Sequence, residues 1–486
     1  MIRLHSLPII MGLLTFFSAT AMAQTWDTIP ANDIRIHYVG RTWDGKNASG
    51  TPVKLLSWSG TTASLSFEGT AVKALLTTSA SVDSSWYKVF IDGVFTKDVA
   101  YLDYNTATEM LLAENLTNGT HTVTLYKRTE AMMGTQQFAG FSVLGSSTTQ
   151  LKIPTRRLEF IGNSISCGYG VLDSCIVNPS TWAVEGTCPG FTTTSEDHYF
   201  AYPAVAARTL GAEDQTVCWS GKGVFRNLYG SAESPTMPME WEFAQPLSAF
   251  SDTATAANWD YSQYVPNAVV INLGTNDFTW PANPTQAEFV GAYVNFIHRI
   301  QAEYGATIPI VLLHGPMVGD SYPAGLNVAS TLSKYLDSTI AQTGSTVSKL
   351  ILTPNQSLKW GIGADWHPNK SQNVLNGSEL AAKLKTVLGW TGQADSSTAI
   401  TPTRFVSRTF KYLDPQHIEI MLSKPGNVSV KLYNMDGQVK SEFHVSQGQG
   451  HHVLALPNPS LAIGSYILEV SLLGKTFSQN VVMGTR

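Results

Sequence analysis

Residues 159–170, which read E-F-I-G-N-S-I-S-C-G-Y-G, place a serine where it could act as a nucleophile. The apolar run 158–161 predicts a buried strand that stops at Gly162. Ser164 follows at the carboxyl end of that strand, which is where open α/β sheets hold their ligands. A polar loop after a strand would have the same sequence pattern. The rest of the chain must therefore supply a base, an orienting group and oxyanion donors.

The triplet Asp365-Trp366-His367 supplies a candidate base. A histidine titrates near neutrality and can take a proton from a serine. An acid two residues earlier can orient the imidazole and stabilise its charged form. D-x-H also occurs in ordinary surface loops, but this triplet follows the last predicted strand of the α/β region, where the base is needed.

Two further blocks follow predicted strands and carry hydrogen-bond donors. The strand 268–272 runs into L-G-T-N-D, which puts the Asn276 amide at the same sheet edge as the serine. The block W-S-G-K-G follows another strand, and Gly221 there lets a backbone N–H approach a substrate, with Gly223 as the alternative. Donors aimed at a developing oxyanion are each worth about 3–4 kcal/mol in the transition state. An Asx-capped turn is the alternative for the asparagine block.

The elements that position these blocks alternate along residues 156–390. Apolar strand-like runs and amphipathic helical stretches take turns, which predicts a parallel sheet with helices on both faces. Strands are expected at 158–161, 215–219, 268–273 and 308–313, and helices at 198–210, 285–304 and 327–342.

The flanking regions have a β pattern instead. Short alternating strands separated by turn signals predict a β-sandwich before residue 147 and a small one from residue 405 onward. The expected strands lie at 34–39, 63–67, 72–75, 86–91 and 121–126, and then at 418–422, 428–433, 453–456 and 466–472, with a turn at Asp436-Gly437. The predicted domains are 24–147, 155–390 and 405–486, joined by polar linkers. The first sandwich either binds carbohydrate or only packs against its neighbour.

Composition narrows the class of protein. The chain has 486 residues, of which 43% are hydrophobic and 14% charged, as expected for two or three globular domains. Its net charge of −5 gives no electrostatic reason to bind nucleic acid or an anionic membrane. Residues 1–23 combine a basic start, an apolar run and the small-x-small site A-M-A, which predicts a signal peptide and export. The apolar run is too short to span a bilayer, so no membrane span is expected after its removal.

The four cysteines, at positions 167, 175, 188 and 218, lie in one third of the chain. Three pairings are possible, and the sequence does not choose among them. Cys175 with Cys188 would staple one loop, and Cys167 with Cys218 would tie together the ends of two strands. The spacings lack the close C-x-x-C pairs of structural zinc sites, so disulfides are favoured.

The four blocks in this order resemble the SGNH hydrolases, or GDSL-type esterases. The chain has no G-x-S-x-G elbow, because position 166 is Ser. Asn163 also departs from the pattern, since GDSL-type blocks usually carry Asp there. The sequences G-N-S-I-S-C-G-Y-G, W-S-G-K-G-V and D-x-H, with the sandwich before them, further resemble carbohydrate esterase family 2. The resemblance covers roughly residues 34–390, including Y-V-G-R at 38–41 and the segment 121–130.

That resemblance implies a jelly-roll sandwich, a central SGNH domain and deacetylation of plant polysaccharides such as xylan and glucomannan. It assigns Ser164 as the nucleophile, His367 as general base and acid, and Asp365 as the orienting partner of the imidazole. Members of the family differ in whether this carboxylate is present. The backbone N–H groups of Ser164 and Gly221, with the Asn276 side chain, would form the oxyanion hole. No metal or cofactor is expected, because the imidazole activates the serine.

Trp366 and Trp280 are expected to stack on a sugar ring, with core packing as the alternative. The C-terminal module resembles type IX secretion sorting domains through V-S-V-K-L-Y-N-M-D-G-Q at 428–438, G-S-Y-I-L at 464–468 and Lys475. An ordinary sandwich appendage is the alternative. The expected protein is a secreted or cell-surface serine esterase and a monomer. The other hypotheses are a polysaccharide-binding protein with unused esterase residues and an SGNH lipase or thioesterase.

Overall fold

The computed structural model forms two compact units, Met1–Thr401 and Pro402–Arg486. It describes residues 25–47, 49–78, 85–101, 108–146, 151, 153–176, 178, 184–228, 239–245, 258–278, 282–321, 323–355, 361–391, 410–414, 417–422, 424–434, 438–448, 450–456, 464–473 and 475–483. The predicted signal peptide, Trp280 and the turn at Asp436-Gly437 lie outside these residues.

The first unit begins with an antiparallel sheet of ten strands. They are β1 Trp26–Pro30, β2 His37–Val39, β3 Thr42–Lys46, β4 Pro52–Leu56, β5 Thr62–Thr78, β6 Ser85–Ile91, β7 Val94–Tyr101, β8 Thr108–Ala113, β9 Gly119–Lys127 and β10 Gln136–Ser146. The main path is β3-β4-β10-β5-β9-β6-β7, with β1, β2 and β8 attached to it. Alternate residues of β9, such as Val123 and Leu125, point into one apolar core.

Three of the expected N-terminal strands differ from the structure. Residues 34–36 are not a strand, because the Asp33 carboxylate accepts from the backbone N–H of Arg35 at 2.9 Å and pairs with its guanidinium at 2.6 Å. This local turn replaces strand pairing. The runs 63–67 and 72–75 belong to one long strand, β5, rather than to two.

The parallel sheet follows within the same unit. Its five strands, β11 Arg157–Gly162, β12 Glu213–Cys218, β13 Ala268–Asn272, β14 Ile310–His314 and β15 Val347–Ile351, lie in the order β12-β11-β13-β14-β15 and all pair in parallel. From β11 the chain runs to β12, at one edge of the sheet, and then crosses to β13 on the other side of β11. The carboxyl ends of these central strands therefore form the topological switch point, where α/β sheets bind ligands.

Within the described residues, six α-helices accompany this sheet: α1 Ser164–Cys167, α2 Tyr202–Leu210, α3 Met239–Phe243, α4 Gln286–Tyr304, α5 Val328–Thr343 and α6 Lys370–Leu388. Helices α4 and α5 contribute to one core cluster, and α2 and α6 to another, so both faces are covered as predicted. The sequence did not predict β15 or α6. The buried positions of α6 include the polar residues Gln372, Asn373 and Asn376. Gly377 allows α2 to approach, since a Cβ there would lie 2.6 Å from Val205.

The second unit consists of short antiparallel strands around one apolar core. The strands are β16 Phe410–Asp414, β17 His417–Leu422, β18 Gly426–Asn434, β19 Val439–Gln447, β20 Gly450–Ala455, β21 Gly464–Leu472 and β22 Lys475–Met483. They form a three-stranded sheet, β16-β17-β20, and a four-stranded sheet, β19-β18-β21-β22. The expected multidomain architecture is confirmed, while the sorting role of this unit stays a prediction.

Buried ionic contacts join the ten-stranded sheet to the parallel-sheet region. Arg41 pairs with Glu159 of β11 at 2.9 Å, and both side chains are fully buried. Lys88 pairs with Asp197 at 2.7 Å. Both regions belong to one compact unit, so the N-terminal sheet packs closely against the region that carries the four blocks.

Candidate active site

The nucleophile candidate lies on the turn between β11 and α1. Asn163 caps α1, and its side-chain oxygen accepts from the backbone N–H of Ile165 at 3.1 Å. An asparagine oxygen fills this role as well as a carboxylate does, so the departure from Asp at this position leaves the turn intact. Gly168, with φ of 89°, ends the helix after a single turn. Ser164 is 8% exposed, at the carboxyl edge of the sheet.

His367 lies directly against this serine. Its Nε2 is 2.8 Å from Ser164 Oγ, and its Nδ1 is 3.2 Å from the backbone carbonyl oxygen of Asp365. A carbonyl can only accept, so Nδ1 carries the proton and Nε2 is free to accept from the serine hydroxyl. Burial lowers the pKa of His367 to about 4, which keeps the imidazole neutral at physiological pH.

The Asp365 carboxylate was expected to contact the imidazole, but its hydrogen bonds go to other residues. The carboxylate oxygen Oδ2 accepts from the Tyr169 hydroxyl at 2.7 Å and from the Phe191 N–H at 3.1 Å. Asp365 has a left-handed backbone, with φ of 46°, which turns its carbonyl toward Nδ1 while its side chain reaches the other loop. Asp365 therefore contacts His367 through its main chain.

Two glycines allow the serine loop and the histidine loop to touch. Gly170 has φ of 59°, and a Cβ there would lie 2.5 Å from the Ala364 side chain. A Cβ on Gly363 would lie 2.2 Å from the Gly170 carbonyl oxygen. This close approach brings positions 164 and 367 within hydrogen-bonding distance.

The proposed oxyanion donors lie on neighbouring loops that are tied together. The Asn276 amide donates to the Lys222 carbonyl at 2.8 Å. Gly221 has φ of 82°, a conformation that favours glycine. The N–H of Gly223 already donates to Asn227 at 3.3 Å, so Gly221 is the better candidate of the two. Ser164 is the first residue of α1, where a backbone N–H has no partner within the helix.

Sequence reasoning missed residues that hold these loops in place. The buried Asp277 carboxylate accepts from three successive N–H groups, of Val224, Phe225 and Arg226, at 3.1, 2.7 and 3.0 Å. The Tyr169 ring lies 4.2 Å from the His367 ring. Both residues lie in the blocks that carry the site: Asp277 ends G-T-N-D at 274–277, and Tyr169 lies within residues 159–170. Their partners are distant in sequence, so neither role was visible there.

The face beside the histidine is partly apolar. Trp366 is 54% exposed and has φ of 66°, so the triplet presents its ring to solvent rather than to the core. Its exposure is consistent with the predicted sugar-stacking role.

The disulfides are Cys167–Cys218 and Cys175–Cys188. The first joins α1 to the end of β12, and the second closes a loop next to the histidine segment. Among the described residues, Glu130, Cys167 and Glu196 come close enough to hold a metal ion. The sulfur of Cys167 is in a disulfide and cannot act as a thiolate ligand, so these residues do not fit a thiolate metal site.

The fold and the Ser-His pair resemble those of GDSL-like hydrolases, and comparisons with known proteins agree. Residues 160–373 match the GDSL-like Lipase/Acylhydrolase family, and residues 38–154 match the model "Carbohydrate esterase 2 N-terminal". The chain combines these two domains, which confirms the predicted resemblance to family 2 carbohydrate esterases.

Individual relatives point the same way. The "Cellulase/esterase CelE" of Acetivibrio thermocellus is 32% identical over 338 residues, which cover 69% of this chain and 38% of that protein. An "Acetylxylan esterase / glucomannan deacetylase" of Cellvibrio japonicus is 25% identical over 366 residues, which cover 75% of this chain and 92% of that protein. The structure of a family two carbohydrate esterase from Clostridium thermocellum in complex with cellohexaose has a TM-score of 0.62 and 29% identity, and the match covers 73% of this chain and 100% of that one.

None of the helices in the described part of the chain is both long and apolar enough to cross a membrane.

Proposed function

We propose that this protein is a secreted serine esterase that removes O-acetyl groups from plant cell-wall polysaccharide such as xylan or glucomannan. One observation carries the proposal: Ser164 Oγ lies 2.8 Å from His367 Nε2, the nitrogen that is free to accept its proton. The names of the relatives support a carbohydrate ester as substrate.

Acyl transfer begins when Ser164 Oγ attacks the acetyl carbonyl and its proton passes to His367 Nε2. The carbonyl π electrons move onto oxygen, and the resulting oxyanion accepts hydrogen bonds from the N–H groups of Ser164 and Gly221 and from the Asn276 amide. When the tetrahedral intermediate collapses, the C–O bond to the sugar breaks and the imidazolium protonates the sugar oxygen.

The acetyl-enzyme is then hydrolysed by the same groups. Water attacks the acetyl carbon while His367 takes one of its protons, and collapse releases acetate as the proton returns to Ser164. The Asp365 carbonyl holds the imidazole in the required tautomer throughout. In this dyad, a main-chain carbonyl takes the orienting role that a side-chain carboxylate has in a triad.

The substrate face is proposed to be a sugar platform centred on Trp366. An exposed indole ring beside the base can stack on a pyranose ring and place an acetylated hydroxyl above Ser164. Trp280 is proposed as a second residue that stacks on the sugar. No cofactor is proposed, and the working unit is proposed to be a monomer. Export by the signal peptide, and type IX sorting by the second unit, also remain proposals.

The test is acetate release from acetylated xylan and acetylated glucomannan, with 4-nitrophenyl acetate as a general ester. The wild type is expected to release acetate from at least one polysaccharide, and Ser164→Ala is expected to reduce the rate by about 10⁴-fold or more. Equal rates for the two proteins would favour a polysaccharide-binding protein. A preference for octanoyl over acetyl esters would instead indicate a lipase or thioesterase.

A further inference from the structure

A buried carboxylate from the N-terminal domain holds the loop that carries the proposed oxyanion donor Gly221. Glu130 is fully buried. Its carboxylate accepts from the backbone N–H of Ser220 at 2.8 Å and from the Ser220 hydroxyl at 2.5 Å. Ser220 directly precedes Gly221, so these two hydrogen bonds fix the peptide that leads into the donor.

On its N-terminal side, the same loop is attached to the nucleophile turn at two points. Cys218 is bridged to Cys167, and the N–H of Trp219 donates to the Gly162 carbonyl at 3.2 Å. Both attachments come before Ser220 in the chain. The loop is also held after Ser220, where the Gly221 carbonyl accepts from the Leu228 N–H at 2.8 Å and the Lys222 carbonyl accepts from the Asn276 amide at 2.8 Å. The contact with Glu130 is the one that ties the residue directly before Gly221 to the N-terminal domain.

Glu130 belongs to a cluster of ionisable side chains without solvent access. Lys127, Glu130 and Glu196 are each 0% exposed. The Lys127 ammonium donates to the carbonyls of Thr129 and Glu130 at 2.7 and 3.2 Å, and Glu196 accepts from the Glu130 N–H at 3.1 Å. Burying such groups is costly, and apolar side chains of similar volume often give a more stable protein. Stability alone is therefore a weak explanation for the cluster.

The distribution of charge between Glu130 and Glu196 suits Glu130 to accept the two hydrogen bonds from Ser220. Carboxyl oxygens of Glu130 and Glu196 lie within 4.8 Å of each other. Burial and this repulsion raise the pKa of Glu196 well above its usual range. Burial also raises the pKa of Glu130, but the two hydrogen bonds from Ser220 and the charge of Lys127 oppose that rise. Ser220 presents two donors to Glu130, so the negative charge belongs on Glu130 and the retained proton on Glu196.

We propose that Glu130 is a positioning residue for acyl transfer: it orients Ser220 so that the Gly221 N–H points at the developing oxyanion. The inference rests on the proposed esterase function. It makes the N-terminal domain part of the working active site, whether or not that domain also binds carbohydrate.

The test compares Glu130→Met, which removes both acceptor oxygens at similar volume, with Glu130→Gln, which keeps one of them. Full-length proteins are assayed with 4-nitrophenyl acetate, and an organophosphate end-point titration counts competent Ser164. Per competent site, Glu130→Met is expected to lower kcat by about 10- to 100-fold with KM within about threefold, and Glu130→Gln is expected to recover most of the loss. The matched control is His37→Gln. His37 also joins the two sheets, but at Glu213, the opposite end of β12.

A boronic acid that forms a tetrahedral adduct with Ser164 separates positioning from general damage. Its Ki is expected to rise in Glu130→Met by the same factor as kcat/KM falls, and to stay constant in His37→Gln. A Glu130→Met protein with lowered Tm but wild-type kcat and Ki would overturn the inference while leaving the esterase function intact. An inactive wild type would instead overturn the function itself. If Glu130→Met does not fold, Ser220→Ala replaces it, and wild-type kcat and Ki in that variant would equally reject the inference.

Discussion

Replacing Asp365 with asparagine distinguishes a Ser-His dyad from a triad. In a triad, this exchange lowers kcat by about 10⁴, because the imidazole takes the wrong tautomer. Here His367 Nδ1 donates to the Asp365 main-chain carbonyl at 3.2 Å, and the substitution leaves this carbonyl in place. We therefore expect the tautomer, and most of the activity, to survive.

The hydrogen bonds of the Asp365 side chain determine how much kcat still changes in Asp365→Asn. Both of its hydrogen bonds, from Tyr169 and Phe191, end on the single oxygen Oδ2. An asparagine can present its amide oxygen there and turn its NH₂ toward solvent, since Asp365 is exposed. Asparagine also tolerates the left-handed backbone at φ of 46°. The substitution removes the electrostatic attraction between a solvent-screened carboxylate and the imidazolium. This attraction is worth about 1 kcal/mol, or about fivefold in kcat.

The assay is kcat and KM for 4-nitrophenyl acetate and for an acetylated polysaccharide, with Ser164→Ala as the reference for full loss. Asp365→Ala serves as a second variant, because it also removes the anchor of Tyr169 and is expected to be more damaging. A fall of 10³-fold or more in Asp365→Asn, with unchanged Tm, would refute the reasoning and restore the carboxylate as the orienting acid.

The remaining predictions concern pH, the oxyanion hole, the sugar platform and the loop contact. Burial lowers the pKa of His367 to about 4, and the neutral imidazole is the active form. Activity should therefore persist as pH falls through 6.5, with the acid limb of kcat/KM between about 4 and 6.5 because the ring is partly exposed; a limb at 6.5 or above would contradict this. Asn276→Ala should lower kcat by about 10²–10³-fold with little change in KM, and an unchanged kcat would exclude Asn276 from the oxyanion hole. Trp366→Ala should raise KM for polysaccharide several-fold but not KM for 4-nitrophenyl acetate, and equal effects on both would argue against stacking. Gly170→Ala should lower the free energy of unfolding by about 1–3 kcal/mol in denaturant titrations, because its φ of 59° and the nearby Ala364 leave no room for a methyl group; wild-type stability would show that the two loops can separate.

Local sequence patterns were sufficient for four of the five strands of the parallel sheet and for the order of its chemical blocks. Continuous apolar runs such as 268–271 favour buried elements, and a glycine or polar residue directly after each run marks its end. Since parallel strands share one carboxyl edge, the common location of Ser164 and Asn276 followed from the strand pattern alone. Helix α6 was missed because its surface and core positions are both rich in polar residues, so its period is weak.

Contacts between distant residues were decided only by the tertiary structure. The sequence allowed three cysteine pairings, and the packing of α1 against β12 selected Cys167–Cys218. The triplet at 365–367 identified the base, but the left-handed backbone of Asp365 determined that a carbonyl, not a carboxylate, contacts it. Glu130 and Ser220 lie 90 residues apart, and neither carries a local signal of their contact. Residue types and their spacing thus indicated the chemistry of the chain, whereas hydrogen-bond partners depend on backbone directions and burial that arise only when separate segments pack together.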